Sequence, residues 1–184
     1  MKKEISRTLL VLHRKEIILY PTDTVWGIGC DATNLDAVSK IFQLKQREET
    51  KSLLVLVSSF SMLKKYVSVS KKVSEILQKS NKPTTIIYQN PKGFATNIIA
   101  KDHTIAIRIV QDEFCRKLIK RFGKPIVSTS ANISREEMPK SFSEISQPIL
   151  NGVDYVVNLH REKTTNKSST ILRVVGNNIE VIRA

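Results

Sequence analysis

Three stretches of this 184-residue chain place polar or cationic side chains two positions apart, the spacing at which an extended chain shows both to one ligand. Lys45 and Arg47 form the first pair. On a helix such residues point about 200° apart, so both cations serve one ligand only where the chain has left the helix. A triphosphate is the ligand such a cluster suits, because Arg offers a planar fork and Lys a mobile point charge, with Lys51 a little further along. A solvated basic helix end, complementing the helix dipole, accounts for the same residues. Ser130 and Asn132 form the second pair, inside Ser128-Thr-Ser-Ala-Asn132, a row of small polar residues directly after an apolar strand. Such a row builds a ligand rim, or a turn. Thr22, Thr24 and Trp26 form the third set, two hydroxyls beside an aromatic wall if the chain is extended there, or an ordinary strand end.

Arg108 lies within Thr104-Ile-Ala-Ile-Arg-Ile109, where three isoleucines share one face and Thr104, Ala106 and Arg108 the other. An arginine so placed needs an anionic partner or open solvent. A ligand carboxylate, with Ala106 leaving room for it, or an internal Asp or Glu meets that need.

Other chemistries are harder to place. The P-loop, GxGxxG and GxSxG patterns are missing, so any nucleotide binds through a non-standard site. Cys30 and Cys115 stand far apart without CxxC spacing, and His13, His103 and His160 are scattered, which argues against a disulfide framework or a protein-encoded metal site. The net charge of +13 favours polyanions, nucleotide or RNA. Arg116, Lys117, Lys120, Arg121 and Lys124 make a basic stripe that tracks an RNA backbone or simply faces water, and the scarcity of aromatics leaves few stacking platforms. The apolar runs stay far below the ~20 residues of a membrane span and the start lacks a signal-peptide core, so a cytoplasmic protein is expected.

The elements that must position these residues follow from periodicity. Strands are predicted over 16–20, 52–57, 84–88, 104–109, 125–128, 154–158, 170–175 and 179–183, with an extended segment over 22–26. Helices are predicted over 35–44 from a Thr33 cap, 60–66 after Ser59, 71–78 after Ser70 and 111–122, with a shorter one after Ser143. The helix over 111–122 places Phe114, Cys115, Leu118, Ile119 and Phe122 on one face, and Gly123 ends it. Gly176-Asn-Asn marks a hairpin between the last two strands. Interleaved strands and helices with hairpins fit a mixed sheet flanked by helices, and the length fits one domain over 1–184.

Five segments, in order, resemble the threonylcarbamoyl-AMP synthase family built on the YrdC-like domain. Tyr20-Pro-Thr-Asp-Thr-Val-Trp-Gly-Ile-Gly-Cys-Asp31 is similar to its opening motif, Lys45-Gln-Arg47 with Lys51-Ser-Leu53 to its KxR segment, and residues 104–108 to its central AVR strand. Ser128-Thr-Ser-Ala-Asn-Ile-Ser134 resembles its SxN segment, and Ser169-Thr-Ile171 its late STI motif. The resemblance implies an α/β YrdC-like domain, a twisted mixed sheet flanked by helices with an open basic cleft. It implies ATP held by Lys45, Arg47, Lys51, Thr104, Ser130, Asn132 and Arg183, with Lys45 and Arg47 catalytic. L-threonine is implied at Thr24, Arg108, Ser128 and Ser169. The implied reaction joins threonine, bicarbonate-derived CO2 and ATP, with Mg2+ carried on the nucleotide, and hands the product to a separate tRNA threonylcarbamoyl transferase. Weak RNA or tRNA binding is compatible with the charge. The chain departs from the family pattern at 80–83, at Arg135 in place of a glycine, and in the basic segment over 160–168. A non-catalytic RNA- or ribosome-binding module of the same fold, and carbamoyl-adenylate chemistry with another acceptor, are the alternatives.

Overall fold

The computed structural model describes residues 1–48, 53–164, 168–176 and 178–184. It begins with a helix that the sequence reading passes over, α1 (Lys2–His13), whose Ile5, Thr8 and Leu12 lie on a buried side. Thr8 interrupts the apolar stripe, and its hydroxyl turns back to donate to Glu4 O at 2.7 Å. Then come β1 (Ile18–Tyr20), β2 (Gly27–Gly29), α2 (Leu35–Leu44), β3 (Leu54–Val57), α3 (Phe60–Tyr66), α4 (Lys71–Lys79) and β4 (Thr84–Gln89). The chain continues through β5 (Thr104–Ile109), α5 (Glu113–Phe122), β6 (Ile126–Ser130), α6 (Gln147–Gly152), β7 (Tyr155–Val156), β8 (Thr170–Val175) and β9 (Asn178–Arg183).

Helices α2 to α5 start where short polar side chains satisfy their first N–H groups. Ser59 accepts from Met62 N, Ser70 from Val73 N and Asp112 from Cys115 N. The cap of α2 is Asn34, not Thr33: Asn34 accepts from Ala37 N at 2.9 Å, while the Thr33 hydroxyl donates to Asp31 at 2.6 Å. Gly123 closes α5 at φ +77°, a left-handed position where a Cβ is disfavoured.

The nine strands of the described residues join one mixed sheet in the order β7-β1-β2-β6-β3-β5-β4-β8-β9. Alternation sends Ile28, Val55, Val57, Ile86, Ile105, Ile107 and Val127 to one core, which they share with buried residues of α2, α3, α4 and α6. It sends Ile18, Tyr20, Leu56 and Ile126 to the other face, against Ile5 and Leu12 of α1 and the apolar stripe of α5. Cys30 and Cys115 fall in different clusters, both fully buried, and burial pushes both thiols well up. Among the described residues no helix is long and apolar enough to cross a membrane.

This second face matters for function. The cluster that α1 and α5 build reaches as far as β3. Beyond it, the same-face residues Ala106 and Arg108 of β5, Thr85 and Ile87 of β4 and Ile171 of β8 line a cavity instead. The uncovered part of the sheet is the floor of the site.

Candidate active site

The segment after β1 is not extended. The Thr22 hydroxyl accepts from Thr24 N at 3.1 Å and donates to Val25 O at 2.7 Å, forming a tight local turn. The turn brings the Thr22 and Thr24 hydroxyls within 3.1 Å of each other and swings Trp26 into the core, where it packs on Phe142 at 4.9 Å. Trp26 is therefore core, not an aromatic wall of the site.

Arg108, only 2% exposed, enters this turn from β5. Its Nη2 lies 3.0 Å from Asp23 Oδ1 and donates to Thr24 Oγ1 at 3.3 Å. The Asp23 contact is an ion pair whose geometry falls short of a hydrogen bond, and among the described residues Arg108 Nε is buried without a partner. Asp23 Oδ2 accepts from Gln111 N at 3.1 Å, so the carboxylate also anchors the approach to α5. Arg108 thus has an internal anion and a spare donor together.

At the end of α2 the chain leaves the helix, but not into an extended run. Gln46 N donates to Gln43 O and Arg47 N to Phe42 O, with Gln46 at φ +49°, the pattern of a Schellman cap with glutamine where glycine is usual. Lys45 and Arg47 consequently part. The Arg47 side chain reaches the cavity, and burial lowers its pKa. The Lys45 ammonium turns inward, donating to Ser130 O and Asn132 O, each at 2.5 Å. Gln46→Gly should relieve the left-handed strain and stabilise the fold by about 0.5–1 kcal/mol, read from urea denaturation; a loss of stability would show that the Gln46 side chain matters more than its backbone.

On the far side of the floor, the β8–β9 pairing slips by one residue, Ile171 facing Arg183 and Leu172 facing Val181. This bulge lets Arg183 grip the start of β8, donating to Ser169 O from Nε at 3.1 Å and from Nη2 at 2.8 Å. The Ser169 hydroxyl shares a 2.9 Å hydrogen bond with Thr85.

These elements enclose a cavity of about 350 Å3. Thr24, Arg47, Arg108, Ser128, Ser130, Ser169 and Arg183, all expected from the sequence, line it. Thr22, Thr85, Thr129 and Met138 line it as well, and Gly27 leaves its floor open: a Cβ there would stand 3.2 Å from Ser128 Oγ. Thr85 was missed, although alternation in β4 pairs it with Ile87 on one face. Lys45 and Asn132 stand behind the wall. Asn132 N donates to Ser130 O at 3.0 Å, a turn and not an extended chain, and Asn132 Nδ2 donates to Glu136 O at 2.8 Å. Thr104 lies further along β5, its hydroxyl donating to Asp102 at 2.6 Å. Lys51 falls outside the described residues. Among the described residues no group of three or more His, Cys, Asp or Glu side chains is placed to hold a metal ion.

A mixed sheet whose bare face carries arginines and hydroxyls defines a small-ligand α/β protein. The chain belongs to the Sua5–YciO–YrdC family, whose model, described as telomere recombination, matches residues 10–184. It is 36% identical over 145 residues to threonylcarbamoyl-AMP synthase of Idiomarina loihiensis, covering 77% of this chain and 78% of that protein. To a putative threonylcarbamoyl-AMP synthase of Methanocaldococcus jannaschii it is 34% identical, covering 100% of this chain and 88% of that protein. The structure of P. abyssi Sua5 complexed with L-threonine shares its fold, with a TM-score of 0.88 at 24% identity. All of this chain is covered in that comparison, and 54% of the P. abyssi chain.

Proposed function

We propose that the chain makes threonylcarbamoyl-AMP from L-threonine, bicarbonate-derived CO2 and ATP, releasing pyrophosphate, and so supplies threonylcarbamoyladenosine modification of tRNA. The observation that carries this is the meeting of Arg47, Arg108 and Arg183 around one hydroxyl-lined cavity. The threonylcarbamoyl-AMP synthases among its relatives support the choice of reaction.

In this reading Arg108 takes the threonine carboxylate through its spare donor face, with Thr24, Ser128 and Ser169 around the side chain and amine. The amine adds to CO2, losing a proton, to give a carbamate. A carbamate oxygen attacks the α-phosphorus, the bond to the β-phosphate oxygen breaks, and pyrophosphate leaves with its Mg2+. Arg47, Ser130 and Arg183 face the nucleotide, with Thr104 and Lys51 assigned there by the family pattern. Such a reaction needs little proton transfer from the protein. Positioning and fixed cations opposite the growing phosphate charge do the catalysis. The product passes to a separate transferase, and the excess positive charge favours weak contact with tRNA in the cytoplasm.

Pyrophosphate release that requires both L-threonine and bicarbonate is the expected result. Arg47→Ala should lower it by at least about a hundredfold with the far-ultraviolet circular dichroism unchanged. Release indifferent to threonine would remove the enzyme reading and leave a basic binding module. Replacement of threonine by other amines without loss would point to a different acceptor.

A further inference from the structure

Lys45 is 2% exposed and its ammonium lies behind the cavity wall. Three acceptors surround Nζ: Ser130 O and Asn132 O at 2.5 Å each, and Asn132 Oδ1 at 3.5 Å. That matches the three donors of an ammonium group. In return Ser134 N donates to Lys45 O at 2.8 Å. Asn132 carries the link onward through its amide to Glu136 O, and Ala131 N donates to Trp26 O at 3.1 Å on the other side. To meet a phosphate oxygen, Lys45 would have to abandon two part-buried carbonyls, each of which would lose a charged donor.

We propose that Lys45 is a positioning residue and not a phosphate ligand: its ammonium ties the end of β6 to the turn that carries Arg47, so that Ser128, Ser130 and Arg47 hold one mutual geometry. The inference rests on the reading of the cavity as an ATP and threonine site. Without the tie, the carbonyls of Ser130 and Asn132 would converge on an uncharged gap, and the two walls of the cavity would be joined here by the Ser134–Lys45 backbone bond and no longer by the ammonium. A misplacement of about 1 Å in such a constellation costs about a hundredfold in rate.

The charge of this tie is lost within reach of experiment. Burial first, then the nearby Arg47, lower the Lys45 pKa to about 8, against a smaller upward pull from Glu136. The sign of the linkage separates the two roles. A lysine held below its ordinary 10.5 opposes folding while it must stay charged, so its burden on stability is full below pH 8 and fades between pH 8 and 10.5. Activity that depends on the charged tie falls in the window where this contribution to stability rises.

Lys45→Met keeps the stem and removes the ammonium. In the substrate-free variant, amide exchange at Ala131, Asn132 and Ser134 should accelerate while amides of β5 stay protected. Turnover should drop about a hundredfold, with KM for ATP and for threonine rising together. Unchanged exchange with a loss confined to KM for ATP would overturn the proposal. Should the variant fail to fold, the wild-type chain decides: the carbonyl carbon-13 shifts of Ser130 and Asn132 should titrate together with the Lys45 side-chain carbon next to its ammonium, without nucleotide. Carbonyl shifts that stay flat while the Lys45 side chain titrates would also overturn it. Neither structural readout needs turnover, so failure of the reaction scheme and failure of the tie are told apart.

Discussion

Arg108→Met should abolish turnover and destabilise the chain, and adding Asp23→Asn should restore the fold but not the activity. Two anions have a claim on the Arg108 guanidinium. One is internal: Asp23, 3.0 Å from Nη2, with its side chain only 9% exposed. The other is the threonine carboxylate, for which the buried and unpartnered Nε is available. Removing the arginine alone leaves Asp23 buried without its cation, a loss of about 3–5 kcal/mol. Asparagine at 23 removes the charge and keeps an oxygen for Gln111 N, which Asp23 now serves at 3.1 Å. Urea denaturation of the double variant should therefore return most of the lost stability. Its pyrophosphate release should stay at least about a hundredfold down, because the substrate carboxylate still lacks its cation. Recovery of both would mean that Arg108 serves Asp23 alone.

The sequence itself leaves both anions open for Arg108. Alternation showed that Arg108 faces away from the isoleucines, and Ala106 beside it marked an open floor. Which anion it meets depends on the turn at Thr22, whose hydroxyl competes with extended backbone for local N–H and C=O groups. Elements with strong periodicity were legible. Every apolar residue expected on the inner face of α5 is buried, and β5 and β8 run over the residues expected. The order of strands was not legible, because β6 sits between β2 and β3 through tertiary pairing alone. Of each spaced pair only one residue lines the cavity, and for a physical reason. The chain does leave the helix after Leu44, but through a left-handed cap that sends Lys45 inward and Arg47 out. At Ser130 and Asn132 a turn does the same, leaving serine on the cavity and asparagine in its own loop. Spacing identified the segments; backbone conformation decided which member of each pair faces the cavity.

A second large effect on stability is expected at a residue with no side chain. Gly29→Ala should cost roughly 3 kcal/mol or more, because the new methyl has nowhere to go. A Cβ at 29 would stand 2.5 Å from Val127 O and 2.6 Å from the ring of Tyr20. Neither neighbour yields easily. Val127 O belongs to β6, which is held between β2 and β3. Tyr20 is fully buried and donates its hydroxyl to that same oxygen at 3.0 Å, crossing the space that Gly29 leaves empty. Burial keeps the phenol protonated by raising its pKa well above the usual value, so the donor is always present. For a chain of this size the loss corresponds to a melting temperature lower by about 6–12 °C. The consequence reaches the site, since the strand pushed by the methyl ends in Ser128, Thr129 and Ser130. Whatever fraction of the variant folds should therefore also turn over more slowly. A melting point within about 3 °C of the parent would show that β6 can shift at little cost, and would remove the strand as a rigid support for the cavity wall.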